Sequence, residues 1–584
     1  MTSSVTHLAT QAQMQTKTLV DSIVKKEIIV GRECRFATFC DNKTEHDLHV
    51  VKEYIYTDEG VRKPRINLVW DYKREFYITR EGYRDHEERK EAEEIEKVQR
   101  YTSTQSKLVD SISRALYKRP AAPRTRLRQL CDSPFIYGVD ISSTALLKKA
   151  YQKRWPEYQH PTSSVAVLDI ETDVVNGTKE IILITLSFKD RIVTAINNRF
   201  INRVRDPVNN VKRLIDKHLS EEMKKRNANV EIVVFDKPGQ CCAHVIKRAH
   251  EWMPDFITVW NINFDLPIII KALEKERYDL AEVFSDPAVP PEYRFFNYKE
   301  GSAQKVTQDG TVMSKHPADR WHVVQCPASF YFMDSMCLYK RLRLAKGNDA
   351  SYSLDFILNK HGIRGKLSVP ECDNLKGLLW HKKMQKDHPF FYVVYNIYDC
   401  MSVEFLDEKT TDLGIAFHTN CGNSDYDNFT SNPRRIMDDL HYFFLERNHV
   451  VGATGDDMVD ENDEYVVSLS DWIVTLPADN MDDNGIPIIR EFPSIRSMMR
   501  IHNADLDVKA TYPTEQITCN ISKRTTSREL SAIIGFTERE RRIIGLNLTG
   551  GVSNALEISN MVYKMPTLLE WGAIADAAIA DGRL

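Results

Sequence analysis

The chain has 584 residues, 42% apolar and 28% charged, with a formal net charge of -4, which exceeds one hydrophobic core and predicts roughly three or four domains. The charge gives no overall basic excess for nucleic acid, although local basic patches and an acidic metal site cancel in such a sum. Eleven cysteines, an odd number without a C-x-x-C pair, argue against a disulfide framework and for a reducing cytoplasm.

Residues 1–25 are polar, rich in Thr and Gln, and read as a frayed terminus without the apolar core of a signal peptide. No apolar run approaches the ~18 residues of a membrane helix, so the expectation is a soluble, intracellular protein with no membrane partner. From Lys26 to Thr79, short alternating segments predict an antiparallel sheet turning at Asp58-Glu59-Gly60. The run His86 to Gln99 predicts a charged, solvated helix. Tyr117 to Arg128 joins two prolines to Lys118, Arg119, Arg124, Arg126 and Arg128, a segment that suits either a surface linker or a contact with phosphates.

A second domain begins near Pro161. Val165 to Ile170 is short and rich in β-branched residues, hence a buried strand, and it ends by presenting Asp169 and Glu171. That i, i+2 spacing puts both carboxylates on one strand face. Burying them together is costly unless a cation lies between them. Glu180–Phe188 and Arg191–Ile196 read as neighbouring strands, Val211–Lys225 as a helix and Val230–Phe235 as a strand, an α/β layer.

Two more clusters follow. Ile257 to Leu273 runs a strand into Asn261, Phe264 and Asp265, with Pro267 expected in the first turn of the next helix; Asp265 alone would equally suit an N-cap. His388 to Leu406 has helical periodicity and sets Tyr395 and Asp399 one turn apart on one face. Such a pair could also be a simple hydrogen bond. Four acids from three segments, all hard oxygen donors, suit Mg²⁺ or Mn²⁺. Two such ions roughly 3.5–4 Å apart would clamp an in-line displacement at phosphorus, with Tyr395 orienting the attacking water. Cys241, Cys242, His244 and His250 lie close together, but their spacing fits no standard zinc pattern.

D-I-E-T, N-I-N-F-D and Y-N-I-Y-D, in this order and spacing, resemble the three exonuclease motifs of DEDDy 3′–5′ proofreading domains, more narrowly those of family B DNA polymerases of bacteriophage type. The segment Ser351-Tyr-Ser-Leu followed by Gly365-Lys-Leu367 is similar to the same family. The resemblance implies an RNase H-like exonuclease domain in an α/β and α+β multidomain chain. Asp169, Glu171, Asp265 and Asp399 would be its metal ligands for two Mg²⁺ or Mn²⁺ ions, Tyr395 its water-positioning residue, and Asn261 and Phe264 substrate contacts. Val306 to Met313 carries a hairpin signal at Asp309-Gly310, where the family has a hairpin that helps to separate primer from template. Tyr339 to Lys346 is a basic stretch that could follow a DNA backbone.

Past Asp412 the composition shifts, and Asn432 to Glu446 predicts an amphipathic helix. Asp507 to Thr514 resembles the family's polymerase motif A, with Asp507 as a catalytic metal ligand and Tyr512 as the ring that excludes a ribose 2′-OH. Ala510, Thr511 and Thr514 depart from that pattern. The family's second palm aspartate, in a D-T-D-S turn, and its fingers helix do not follow.

The expected domains are an N-terminal domain at 1–160, the exonuclease at 161–410 and the start of a palm at 411–584. The resemblance thus implies part of a split DNA-directed DNA polymerase in the cytoplasm, a host's if the source is a phage. Its partners would be primer-template DNA, single-stranded 3′ ends, a second polypeptide with which dNTP is used, and a sliding clamp. The alternatives are a stand-alone 3′–5′ exonuclease in repair and a noncatalytic DNA-binding subunit.

Overall fold

The computed structural model describes residues 28–455, apart from 42–44, 88–89, 202–205 and 307–311. Asp507, Tyr512 and the expected palm segment beyond Gly455 lie outside the described residues. The chain divides into two units, residues 1–453 and 454–584, and the fold below is that of the first. It is a mixed α/β structure.

Strands β1 (Ile29–Cys40), β2 (Leu48–Thr57) and β3 (Arg62–Trp70) form an antiparallel sheet in that order. β1 is continuous through register shifts at Ile29/Gly31 and Cys34/Phe36. The turn into β3 uses Gly60 at φ 77°, a conformation glycine adopts without steric cost. The next strand, β4 (Arg74–Thr79), leaves this sheet.

The predicted helix at 86–99 is replaced by β5 (Ala92–Glu94), a 3₁₀ turn at Ile95–Lys97 and β6 (Val98–Ser103). β4 lies between β6 and β7 (Ile136–Tyr137), and β5 pairs with a strand some 350 positions away, Glu94 opposite His449. Glu93 is buried and held by Lys90 at 2.7 Å. Long-range pairing and a buried ion pair outweigh the local helix propensity of a charged run. The basic connector leads from the helix Leu108–Tyr117 to the short helix Leu127–Leu130, and its five cations are exposed.

After α1 (Ser143–Arg154), the chain lays down β8 (Val165–Thr172), β9 (Ile181–Phe188), β10 (Arg191–Asn197), α2 (Pro207–His218), β11 (Asn229–Phe235), α3 (Pro238–Trp252), β12 (Phe256–Val259) and α4 (Ile262–Lys275). β13 (Asn297–Lys299), β14 (Gln304–Val306), β15 (Val312–Ser314) and β16 (Val323–Gln325) make two small antiparallel pairs, β13 with β16 and β14 with β15. The second pair is the expected hairpin, with its tip outside the described residues. β17 (Tyr331–Asp334) then returns to the main sheet, whose order is β11-β10-β9-β8-β12-β17. β9 is antiparallel to both neighbours; β8, β12 and β17 are mutually parallel, as are β10 and β11.

Helices cover both faces, as strands this apolar require. Ala166, Leu168 and Ile170 pack with α3 and α4 through Cys242, Val245 and Ile269. On the opposite face Leu183, Ile192 and Ile196 pack with Val211 and Ile215 of α2 and with Val393 and Ile397. Those last two belong to the longest helix among the described residues, which follows α5 (Ser335–Leu342), α6 (Leu354–Lys360) and α7 (Gly377–Asp387). It is α8 (Pro389–Thr410); α9 (Asn432–Leu445) and β18 (His449–Val451) complete the described fold. The first sheet is tied to the main one by Lys52, which donates to the Met253 carbonyl at 2.7 Å, and by Tyr54, which donates to Asp255 at 3.2 Å. Among the described residues no helix is long and apolar enough to cross a membrane.

Candidate metal centre

Side chains alternate along a strand, so with Leu168 and Ile170 committed to α3 and α4, Asp169 and Glu171 point to the α8 face. α8 is oriented over that face by polar bonds. Asn396, fully buried, donates to Asp169 Oδ2 at 2.7 Å and accepts from Thr185 of β9. Two turns further on, Glu404 accepts from Ser187 at 2.9 Å, from the Lys189 amide at 3.1 Å and from Arg226. This fixed register brings Asp399 to the two strand carboxylates. Ligand oxygens of Asp169, Glu171 and Asp399 lie within 4.8 Å of one another.

Asp265 reaches the same cavity from the other side. α4 begins at Ile262, so Pro267 sits inside the helix rather than in its first turn, and Asn261 rather than Asp265 takes the N-cap position. The helix start is set by tertiary bonding: Asp334, at the end of β17, accepts from the Ile262 amide at 2.9 Å and from the Cys337 amide at 2.7 Å. Asp265 is 5% exposed and lines a cavity of about 630 Å³ with Asp169, Glu171, Asn261, Phe264, Tyr395 and Asp399. It is not one of the three acids grouped within 4.8 Å. Phe264 is half exposed at the cavity rim. The cavity opens at the carboxyl ends of the parallel strands β8 and β12, where α/β sheets offer their ligand sites.

The sequence assigns several residues at this site no role, and Lys366 enters it only within Gly365-Lys-Leu367. Lys366, in the loop after α6, donates to the Tyr395 phenol oxygen at 2.6 Å and stands 3.5 Å from Asp399; its own amide is held by Asp355 at 3.0 Å. Tyr392 donates to Glu171, and His381 of α7 lies 2.7 Å from the Tyr392 oxygen. For Tyr392 the hint was its recurrence with Tyr395 and Tyr398 along α8, and helical spacing alone does not separate core tyrosines from site tyrosines.

Burial and mutual repulsion dominate the electrostatics. Burial, then Asp265, Glu171 and Asp399, push the Asp169 carboxyl well above the usual range; burial and Glu171 do the same to Asp265. Burial lifts Glu171 to about 7 against the opposing hydrogen bond from Tyr392 and the charge of Lys366. Asp399 is raised by burial despite Lys366. Burial would lower Lys366, but Asp399, Glu171 and Asp169 outweigh it and hold the ammonium above its ordinary value. Tyr395 is raised by burial and by Asp399, so its phenol keeps its proton.

The donor set fits a hard divalent cation. Three carboxylates converge, a fourth faces the same cavity, and Asp399 Oδ1 is buried with no hydrogen-bond partner. Such an orphaned acceptor beside like charges is costly, and a cation between the acids removes both penalties.

No other group of three His, Cys, Asp or Glu among the described residues converges in this way. Cys241 and Cys242 are buried in the α3 core, His244 lies 3.0 Å from Glu231, and His250 lies 3.1 Å from the Val283 carbonyl. Three cations of the basic stretch after Tyr339 are engaged within the fold: Lys340 donates to Asp319 at 2.6 Å, Arg341 to the Thr430 carbonyl at 3.0 Å, and Arg343 to Asp412 at 2.7 Å. Compared with protein-family models and with curated proteins, the chain matches none.

Proposed function

We propose that the chain is a divalent-metal-dependent 3′–5′ exodeoxyribonuclease of the DEDDy kind, built on an RNase H-like sheet and acting as the proofreading part of a family B DNA polymerase. One observation carries it: Asp169 and Glu171 from the central strand and Asp399 from α8 offer ligand oxygens within 4.8 Å of one another. Mg²⁺ or Mn²⁺ held by these three, with Asp265 beside them, would supply Lewis-acid charge for displacement at a phosphodiester. The chain's own groups do the rest. Lys366 donates to the Tyr395 oxygen and the phenol hydrogen is shared with Asp399, which sets the phenol against the cavity where it would orient a water. Asn396 fixes the Asp169 carboxylate. Phe264, exposed at the rim, offers a face on which a terminal base stacks, which suits a single-stranded 3′ end.

The polymerase part of the proposal, with Asp507 and Tyr512 in the palm and dNTP used together with a second polypeptide, rests on the sequence resemblance alone.

A 5′-labelled single-stranded oligodeoxynucleotide tests the nuclease. With Mg²⁺, the wild-type chain is expected to produce a ladder that shortens from the 3′ end. EDTA and Asp169→Ala should each abolish it. Digestion retained by Asp169→Ala, or shortening from the 5′ end, would falsify the assignment.

A further inference from the structure

Glu171 is held differently from the other acids. It precedes a register shift between β8 and β9, where Glu171 faces Leu183 and Thr172 faces Ile181, the extra residue Ile182 lying on β9. Gln385, 4% exposed on α7, holds the backbone at and just past the end of β8: its Nε2 donates to the Thr172 carbonyl at 2.8 Å and its Oε1 accepts from the Val174 amide at 3.1 Å. The same Nε2 lies 3.3 Å from the Tyr392 oxygen. His381 Nδ1, one turn earlier, is 2.7 Å from that oxygen, and Tyr392 donates to Glu171 Oε2.

A phenol has one hydrogen. When Glu171 is ionised, as a metal ligand must be, that hydrogen goes to the carboxylate. Gln385 and His381 must then both donate into the phenol oxygen, which fixes His381 as the tautomer protonated on Nδ1.

We propose that Gln385 and His381, acting through Tyr392, are positioning residues that aim Glu171 into the metal centre and set its affinity. The proposal rests on the nuclease reading above. It assigns to α7, a helix that contributes no metal ligand, control over one ligand through a directed chain of hydrogen bonds. Groups that orient metal ligands in this way typically matter 10–100-fold for metal affinity.

Calorimetric titration of the full chain with Mn²⁺, for wild type, Tyr392→Phe and His381→Ala, tests it. Tyr392→Phe keeps the ring and removes the hydroxyl. We expect its Kd for Mn²⁺ to rise about 10–100-fold, with circular dichroism unchanged, and His381→Ala to fall between it and wild type. A wild-type chain that binds Mn²⁺ alongside a Tyr392→Phe chain that binds equally well overturns this inference alone. A wild-type chain that binds no Mn²⁺ overturns the nuclease reading and the inference with it. Nitrogen-15 NMR of the Mg²⁺-loaded wild type should show His381 protonated on Nδ1, a signature lost in Tyr392→Phe; protonation on Nε2 in the wild type reverses the chain of donors and contradicts the proposal.

Discussion

Lys366 donates a 2.6 Å hydrogen bond to the phenol oxygen of Tyr395, so a loop lysine and a helix tyrosine act on the cavity as one unit. A shared hydrogen bond makes their effects non-additive. Tyr395→Phe and Lys366→Met should each slow 3′-end hydrolysis about 10–100-fold, the range for groups that orient a metal site. The double variant should be little slower than the worse single. Rates that simply multiply in a double-mutant cycle would show that the two side chains work independently.

Asp399 is a ligand in this account and Tyr395 is not. Asp399→Ala should therefore cost more activity than Tyr395→Phe and should weaken Mn²⁺ binding, whereas Tyr395→Phe should leave that binding close to wild type. Steady-state rates and metal titrations on the same preparations check the order, and the reverse order counts against it.

The raised carboxyl groups couple metal to pH. Glu171, about 7 in the fold, ionises near 4.3 in an unfolded chain. Its contribution to metal-free stability is complete below the unfolded value and is lost as pH rises through about 7. Asp169, Asp265 and Asp399 are shifted in the same direction. A bound divalent cation favours the ionised acids and reverses the loss. Mg²⁺ should thus raise the melting temperature more at pH 8 than at pH 5, as read by calorimetry; an equal rise at both values would sink the coupling.

Arg226, at the end of the helix Ser220–Arg226, and Glu404 form a buried pair, with side chains 8% and 5% exposed, beside the bonds that tie α8 to Ser187 and Lys189 of the sheet. Removing one partner of such a pair leaves an uncompensated buried charge, at a cost of about 3–5 kcal/mol. Arg226→Ala should lower the unfolding free energy by that order in urea titrations. A change under about 1 kcal/mol, the size typical of exposed pairs, would mean that the pair does not set the register of α8.

The first acid pair was legible because strand alternation is a local rule: once Leu168 and Ile170 face the core, Asp169 and Glu171 must share the other side. α8 was legible for the same kind of reason, its apolar residues recurring at helical spacing from Phe390 to Leu406. What the sequence hid depends on distant partners. β5 exists because β18 pairs with it, and α4 starts early because Asp334 caps it across the sheet. Lys366 carries no periodicity at all; only the fold brings its ammonium to Tyr395 and Asp399. Gln385 and His381 were equally silent, since the backbone at the end of β8 and the direction of one phenol hydrogen decide what they do.

Crystals of the full chain grown with Mn²⁺ and measured at the manganese absorption edge put the central idea to its most direct test. An anomalous peak bonded to carboxylate oxygens of Asp169, Glu171 and Asp399, and absent from Asp169→Ala crystals, is the expected result. Strong manganese peaks elsewhere with none among these three acids would contradict it.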